Sequence, residues 1–348
     1  MKKFTKAIAL LLVFATVFAL AACGGGNDDE GKVDQVKVGV LSGATGMGAV
    51  KIAKDNVSTE ETKAPYDVKF YGTNEVSNVF TDVIKGNLHI AALPINAAAT
   101  LFKQSEGKVE VIAINALGVL SLIGKNNLPS VSELAGATVY APGSGTPRFI
   151  LKHILQENGL TVVESETDEL GANGVRVLYE TDGAAVKAKY DTKTATAANV
   201  YALLPEPAAT AALVSDNTNK LVFDINAEWD KVCDTKLVQG VLVANKDFAK
   251  NNKALLEKFL KNYKASVDYV NASENADAAA DLMVEYNLVP AKPIAKKAIP
   301  KANIVCEIGS SMKTDVSAMI DVLFAIAPAS VGGEKPADAF YGIYAFAS

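Results

Sequence analysis

The run Val36-Lys37-Val38-Gly39-Val40-Leu41, followed directly by Ser42-Gly43-Ala44-Thr45-Gly46-Met47-Gly48, decides the architecture. Aliphatic and β-branched residues dominate the first part, as in a strand covered on both faces. Small residues then turn the chain, and a helix is expected over residues 45–54. The unit repeats. A strand at 67–71 leads into a helix over 75–85, and a strand at 88–93 leads into a helix over 96–103. Residues 109–115 form a fourth strand. Short β runs separated by helices of about ten to fifteen residues imply βαβ units and a largely parallel sheet.

The rhythm restarts further on, with strands at 137–140, 175–179 and 199–204, a helix over 147–157, and another beginning near Pro205. Two more β runs, 119–123 and 237–244, flank this second unit and are read as crossings between two α/β lobes. That reading gives a first lobe of residues 36–118 and 245–348 and a second of 119–244. The C-terminal third has helical spacing over 255–270, 276–286 and 314–326, interrupted by Pro290, Pro293 and Pro300. The polar, alanine-rich stretch 182–198 has no assigned element.

The chain opens differently. Lys2, Lys3 and Lys6 precede an apolar run over 8–20, and Leu20-Ala21-Ala22-Cys23 closes it. The run is shorter than the roughly 20 residues needed to span a bilayer, and it fits the core of a secretory signal. The small residues before Cys23 resemble a bacterial lipobox. That implies a signal peptide over 1–22, acylation of Cys23, and a protein held on the extracytoplasmic face of the cell membrane. Gly24-Gly25-Gly26-Asn27-Asp28-Asp29-Glu30-Gly31 cannot build a core, so 23–35 reads as a flexible tether. Two acyl chains on one cysteine make a stable anchor.

Composition narrows the function. The formal net charge is −5, and loss of residues 1–22 with their three lysines leaves −8. An acidic chain lacks the electrostatic footprint of a nucleic-acid binder. Besides Cys23 the cysteines are Cys233 and Cys306, and the histidines are His89 and His153. No grouping of these has metal-ligand spacing, so no metal is expected. Neither histidine has a recognisable nucleophile or carboxylate partner in sequence, so no catalytic residue is assigned and the chain is read as a binding protein rather than an enzyme.

Candidate ligand contacts come from the strand-to-helix corners. Ser42, Thr45 and Gly46 lie in the first, Thr73 in the second, Asn96 in the third, and Ser144, Gly145 and Thr146 in Pro142-Gly143-Ser144-Gly145-Thr146-Pro147. Thr45, Asn96 and Thr146 are expected to cap helices, with Pro147 as a first helical residue. Helix starts carry free N–H groups and partial positive charge, which suits an anionic group. The bland alternative is that these residues only terminate strands. The first corner lacks the Lys-Ser/Thr ending of a phosphate loop. Arg148 offers a fork of donors to a carboxylate or sulfonate, or faces solvent in the first turn. Glu206, in Leu204-Pro205-Glu206-Pro207, offers acceptors to a ligand amine or ring N–H, or stabilises a helix start. Tyr71, Tyr140 and Tyr201 offer faces to a flat ligand, or belong to the core.

Taken together, Gly43-Ala44-Thr45-Gly46-Met47-Gly48, Leu93-Pro94-Ile95-Asn96-Ala97-Ala98-Ala99, Tyr140-Ala141-Pro142-Gly143-Ser144-Gly145-Thr146-Pro147 and Leu203-Leu204-Pro205-Glu206-Pro207-Ala208-Ala209-Thr210 resemble the substrate-binding lipoproteins of nitrate/sulfonate/taurine-type ABC transporters. So does the tail, with Ser330-Val331-Gly332-Gly333 and Asp338-Ala339-Phe340-Tyr341. The resemblance implies an α/β type II periplasmic-binding-protein fold, with two lobes joined by a two-strand hinge near Gly118 and Gly240. It implies a monomer without a cofactor that captures a small solute and delivers it to permease and ATPase subunits; the helix starts and Arg148 suggest an anionic group on that solute, and the tyrosines a flat or aromatic body. Two other readings stay open: an enzyme of pyrimidine-precursor synthesis on the same fold, and a sensor lipoprotein without transport.

Overall fold

The structure, a computed structural model, describes residues 31–59 and 61–347. The expected signal peptide and Cys23 lie outside the described residues. Twelve strands occur among those residues: β1 Val36–Leu41, β2 Tyr66–Tyr71, β3 Ile90–Pro94, β4 Val109–Ala116, β5 Leu120–Gly124, β6 Thr138–Pro142, β7 Thr161–Val163, β8 Gly174–Glu180, β9 Val200–Pro205, β10 Lys220–Asp224, β11 Gly240–Asn245 and β12 Ile304–Glu307. They form two six-stranded sheets, ordered β12-β4-β11-β3-β1-β2 and β10-β5-β9-β6-β8-β7.

Within each sheet the βαβ units are parallel, as expected: β1 pairs with β2 and β3, and β6 with β8 and β9. Both sheets are nonetheless mixed. In the first, β11 runs antiparallel between β3 and β4. In the second, β5 runs antiparallel between β9 and β10. The two runs expected to be crossings are therefore strands, each built into the sheet that the chain has just entered. The connections themselves are shorter: 117–119 going out, and 233–239 coming back. The correction has a packing reason. Val241 and Val243 point into one apolar cluster while Leu242 and Ala244 point into another. A strand buried on both faces, each Val or Leu contributing about 1.5–3 kcal/mol, sits inside a sheet and cannot serve as an exposed strap.

Helix boundaries shift for local reasons. The helix Thr146–Glu157 starts at Thr146, with Gly145 at φ 77° as the residue before it. The short helix Ala44–Met47 follows Gly43 at φ 95°. Lacking a Cβ, glycine takes this left-handed conformation readily, so the turn closes one residue before the expected cap at Thr146 and two before the one at Thr45. Neither Thr146 nor Thr45 caps its helix, and Asn96 stands one residue inside the helix Ile95–Gln104. The unassigned stretch contains the helix Gly183–Thr194, whose first turn is closed by Asp182 accepting from the Ala185 N–H at 2.9 Å. Val186 and Tyr190, four residues apart, anchor it in the core. The last long helix is Gly309–Ile326, longer than expected at its start. Among the described residues no helix is long and apolar enough to cross a membrane.

Candidate functional site

The carboxyl ends of β1, β2 and β3 face those of β6, β8 and β9 across a cavity of about 530 Å³. Ligands of open α/β sheets bind at this edge. From the first half come Ser42, Gly43, Ala44 and Thr45 after β1, Thr73 and Asn74 after β2, and Pro94, Asn96 and Ala97 after β3. From the second come Pro142, Ser144, Gly145 and Thr146 after β6, Thr181, Asp182 and Gly183 after β8, and Pro205 and Glu206 after β9. Val119 and Gln239 from the crossings, with Ala116, Leu120 and Gly240 at the adjoining strand ends, close the floor.

Two of the hydroxyls are held by backbone. Ser42 Oγ donates to the Tyr71 carbonyl at 2.8 Å, and Thr45 Oγ1 donates to the Leu41 carbonyl at 3.0 Å. Asn96 Oδ1 is closed off from solvent and accepts no hydrogen bond. Glu206 is only 2% exposed. Its carboxylate accepts from the Thr210 N–H at 3.3 Å and from Thr210 Oγ1 at 3.0 Å, while its own N–H donates to the Val119 carbonyl at 2.8 Å. Burial pushes the Glu206 carboxyl above the ordinary range, opposed by the Thr210 hydrogen bonds and the more distant Lys301.

Ser42, Thr45, Thr73, Asn96, Ser144, Gly145, Thr146 and Glu206 are thus brought together around one cavity. Gly46 and Arg148 are not among its lining. Gly46 is buried below it, where a Cβ would meet the Leu41 carbonyl oxygen at 2.7 Å. Arg148 turns away: its guanidinium pairs with Glu164 at 2.7 Å and lies 4.4 Å from the centre of the Tyr179 ring. The carboxylate and the aromatic face together outweigh the unfavourable helix-start position. Tyr71, Tyr140 and Tyr201 are 3%, 3% and 2% exposed and belong to the core. Sequence reasoning missed Asp182, Gln239 and Thr181. Asp182 carried a signal, an aspartate ahead of Gly-Ala-Ala-Val at helical spacing. Gln239 carried none.

The two histidines lie elsewhere. His89 stacks on Phe248 at 4.8 Å and accepts the Lys37 N–H through Nδ1 at 3.1 Å. His153 packs 5.5 Å from Trp229. Cys233 and Cys306 are free thiols, and burial pushes that of Cys306 up to about 12.

Two α/β halves with a shared cavity and two short crossings make the fold of ABC-transporter substrate-binding proteins. The NMT1/THI5-like family model matches residues 89–276, more than half of the sequence, and the chain belongs to that family. The sequence matches no curated protein. Among solved structures the chain is similar to an ABC transporter protein from Parabacteroides distasonis, at 19% identity and a TM-score of 0.70, with 89% of this chain and 99% of that one covered. It is similar to the periplasmic aliphatic sulphonate binding protein SsuA of Escherichia coli, at 12% identity and a TM-score of 0.64, with coverages of 84% and 88%. A third likeness is to the periplasmic nitrate-binding protein NrtA of Synechocystis PCC 6803, at 13% identity and 0.53, with coverages of 78% and 70%. At these identities the likeness is one of fold.

Proposed function

We propose that this chain is the extracytoplasmic solute-binding component of an ABC importer. It captures a small solute between its two halves and presents the closed form to permease and ATPase subunits. The observation that carries the reading is the cavity of about 530 Å³, lined from both halves and floored by the two crossings. Its size falls within the usual range for small-molecule sites. Residues in short connections can absorb the rotation that opens such a cleft. The first lobe then comprises β1–β4 and everything from β11 onward, and the second runs from β5 to the helix Ile225–Val232. Ser42, Thr45, Thr73, Asn96, Ser144, Thr146 and Glu206 contact the solute. Cys23 carries the lipid anchor and keeps the monomer near its membrane partner. The family relation to pyrimidine-forming enzymes gains no support from the cavity, since neither His89 nor His153 lines it.

Calorimetric titration of the full chain in detergent, combined with product analysis, tests the reading. One solute should bind per chain and be recovered unchanged. Chemical conversion of the bound solute would sink it. Labelling of growing cells with radioactive palmitate should mark the native chain and leave Cys23→Ala unmarked.

A further inference from the structure

The cavity has a one-sided chemistry. Among the described residues that line it, the charged side chains are Asp182 and Glu206, both acids. Those residues include no lysine, arginine or histidine, and no aromatic ring either. Arg148, the guanidinium nearest the cavity in sequence, is taken up by Glu164 and Tyr179.

The two acids differ in what they still have to offer. Asp182 already serves the first turn of its helix through the Ala185 N–H. Glu206 is 2% exposed, and its hydrogen bonds both come from Thr210. A carboxylate has about four acceptor positions, so roughly half stay open, and the group has no adjacent cation. The Glu206 carboxylate, in the wall of the cavity and short of donors, marks where donors from a ligand belong. Much of the remaining lining is aliphatic, with Val76, Ala97, Val119 and Leu120 among it.

Taking the cavity as the solute site proposed above, we infer that it accepts a small aliphatic ammonium compound, its N–H groups meeting Glu206 and its hydrocarbon body packing on the aliphatic wall. A primary ammonium brings three donors and no acceptor, which matches this arrangement. A sulfonate or nitrate would place a full negative charge beside a buried carboxylate. The helix starts at Ile95 and Thr146 offset this weakly, since each carries the equivalent of about half a charge. A flat aromatic ring finds no partner ring.

Thermal-shift and calorimetric titrations of the full chain with 1,4-diaminobutane, butylamine, ethanesulfonate, nitrate and 4-aminopyrimidine test the inference. The two amines should raise the melting temperature and bind one per chain, and the other three should do neither. Glu206→Gln keeps the side chain's shape and removes its charge. It should weaken amine binding about tenfold or more while keeping the native circular dichroism spectrum. Binding of ethanesulfonate, nitrate or aminopyrimidine in place of the amines, or an amine affinity unmoved in Glu206→Gln, overturns the inference and leaves solute capture standing. Silence across all five probes overturns the amine assignment and counts against solute capture as well.

Discussion

Gln239 accepts the Val119 N–H through Oε1 at 2.6 Å, so the two segments that join the halves are also joined to each other. The same side chain reaches into the second half, where its Nε2 stands 3.4 Å from Thr146 Oγ1. Its backbone belongs to the first half: the Gln239 N–H donates to the Ala116 carbonyl at 3.1 Å, and its carbonyl accepts from the Ile95 N–H at 3.0 Å. The Val119 carbonyl meanwhile holds the Glu206 N–H. One residue thus ties both crossings to the cavity floor. Gln239→Ala should lower the unfolding free energy by about 1 kcal/mol, read by urea denaturation. It should also broaden the distribution of distances between labels placed on the two halves.

Gly240, the first residue of β11, is tightly enclosed. A Cβ there would lie 2.5 Å from Asn115 Oδ1, 2.9 Å from Thr45 Cγ2 and 3.1 Å from the Ala116 Cβ. Gly240 is therefore a close-packing position at the edge of the cavity. Gly240→Ala should cost roughly 1–3 kcal/mol through overpacking. A chemical denaturation midpoint unchanged from wild type would refute this account.

Much of the fold was legible because its signals are local. A β run, small turn residues and an amphipathic helix occupy adjacent stretches, and β1, β3, β6 and β9 were visible in that way. The crossings were not, because the same apolar run fits a strap or a central strand, and only contacts with β3 and β4 choose between them for β11. Most candidate site residues were legible for the same local reason, since they follow parallel strands at the edge where ligands bind. Arg148 was misplaced because its partner Glu164 lies sixteen residues on, across a turn that sequence alone does not orient. Gln239 stands alone ahead of a strand, and its role exists only where two distant segments meet.

Arg148→Ala separates the observed geometry from the sequence expectation. The Arg148–Glu164 pair is partly exposed, at 37% and 30%, and such pairs contribute about 0–1 kcal/mol. The substitution should therefore leave solute affinity within about twofold of wild type and lower stability only slightly. A loss of affinity of tenfold or more would return Arg148 to the site.

His89 should make the fold sensitive to mild acid. Burial, with help from the Lys37 charge, holds its imidazole below the ordinary 6.5. Nδ1 must stay unprotonated to accept the Lys37 N–H. With the folded value depressed, the unfolded chain binds the proton more readily, so this contribution is complete above about 6.5 and declines as pH falls below it. Melting temperatures measured from pH 8 to 5 should drop on the acid side, and His89→Gln should flatten that part of the profile.

Glu206 should act in the opposite direction. Its carboxyl is raised above the ordinary 4.5 by burial, with Asp224 adding to the effect and Thr210 and Lys301 opposing it. The folded state then holds the proton more tightly than the unfolded chain does. Stability is greatest below the unfolded value and falls as pH rises through the folded one. At neutral pH the buried charge is thus carried at a cost, one that a bound cation would offset. Glu206→Gln should melt higher than wild type at pH 7 in the absence of solute, and the difference should shrink toward pH 4. The amide oxygen that this substitution introduces can still accept from Thr210, so the helix Ala208–Ser215 keeps part of its first-turn support. If the variant melted lower at pH 7, the carboxylate would be a net stabilising group there, and its ionised form would need a partner beyond Thr210.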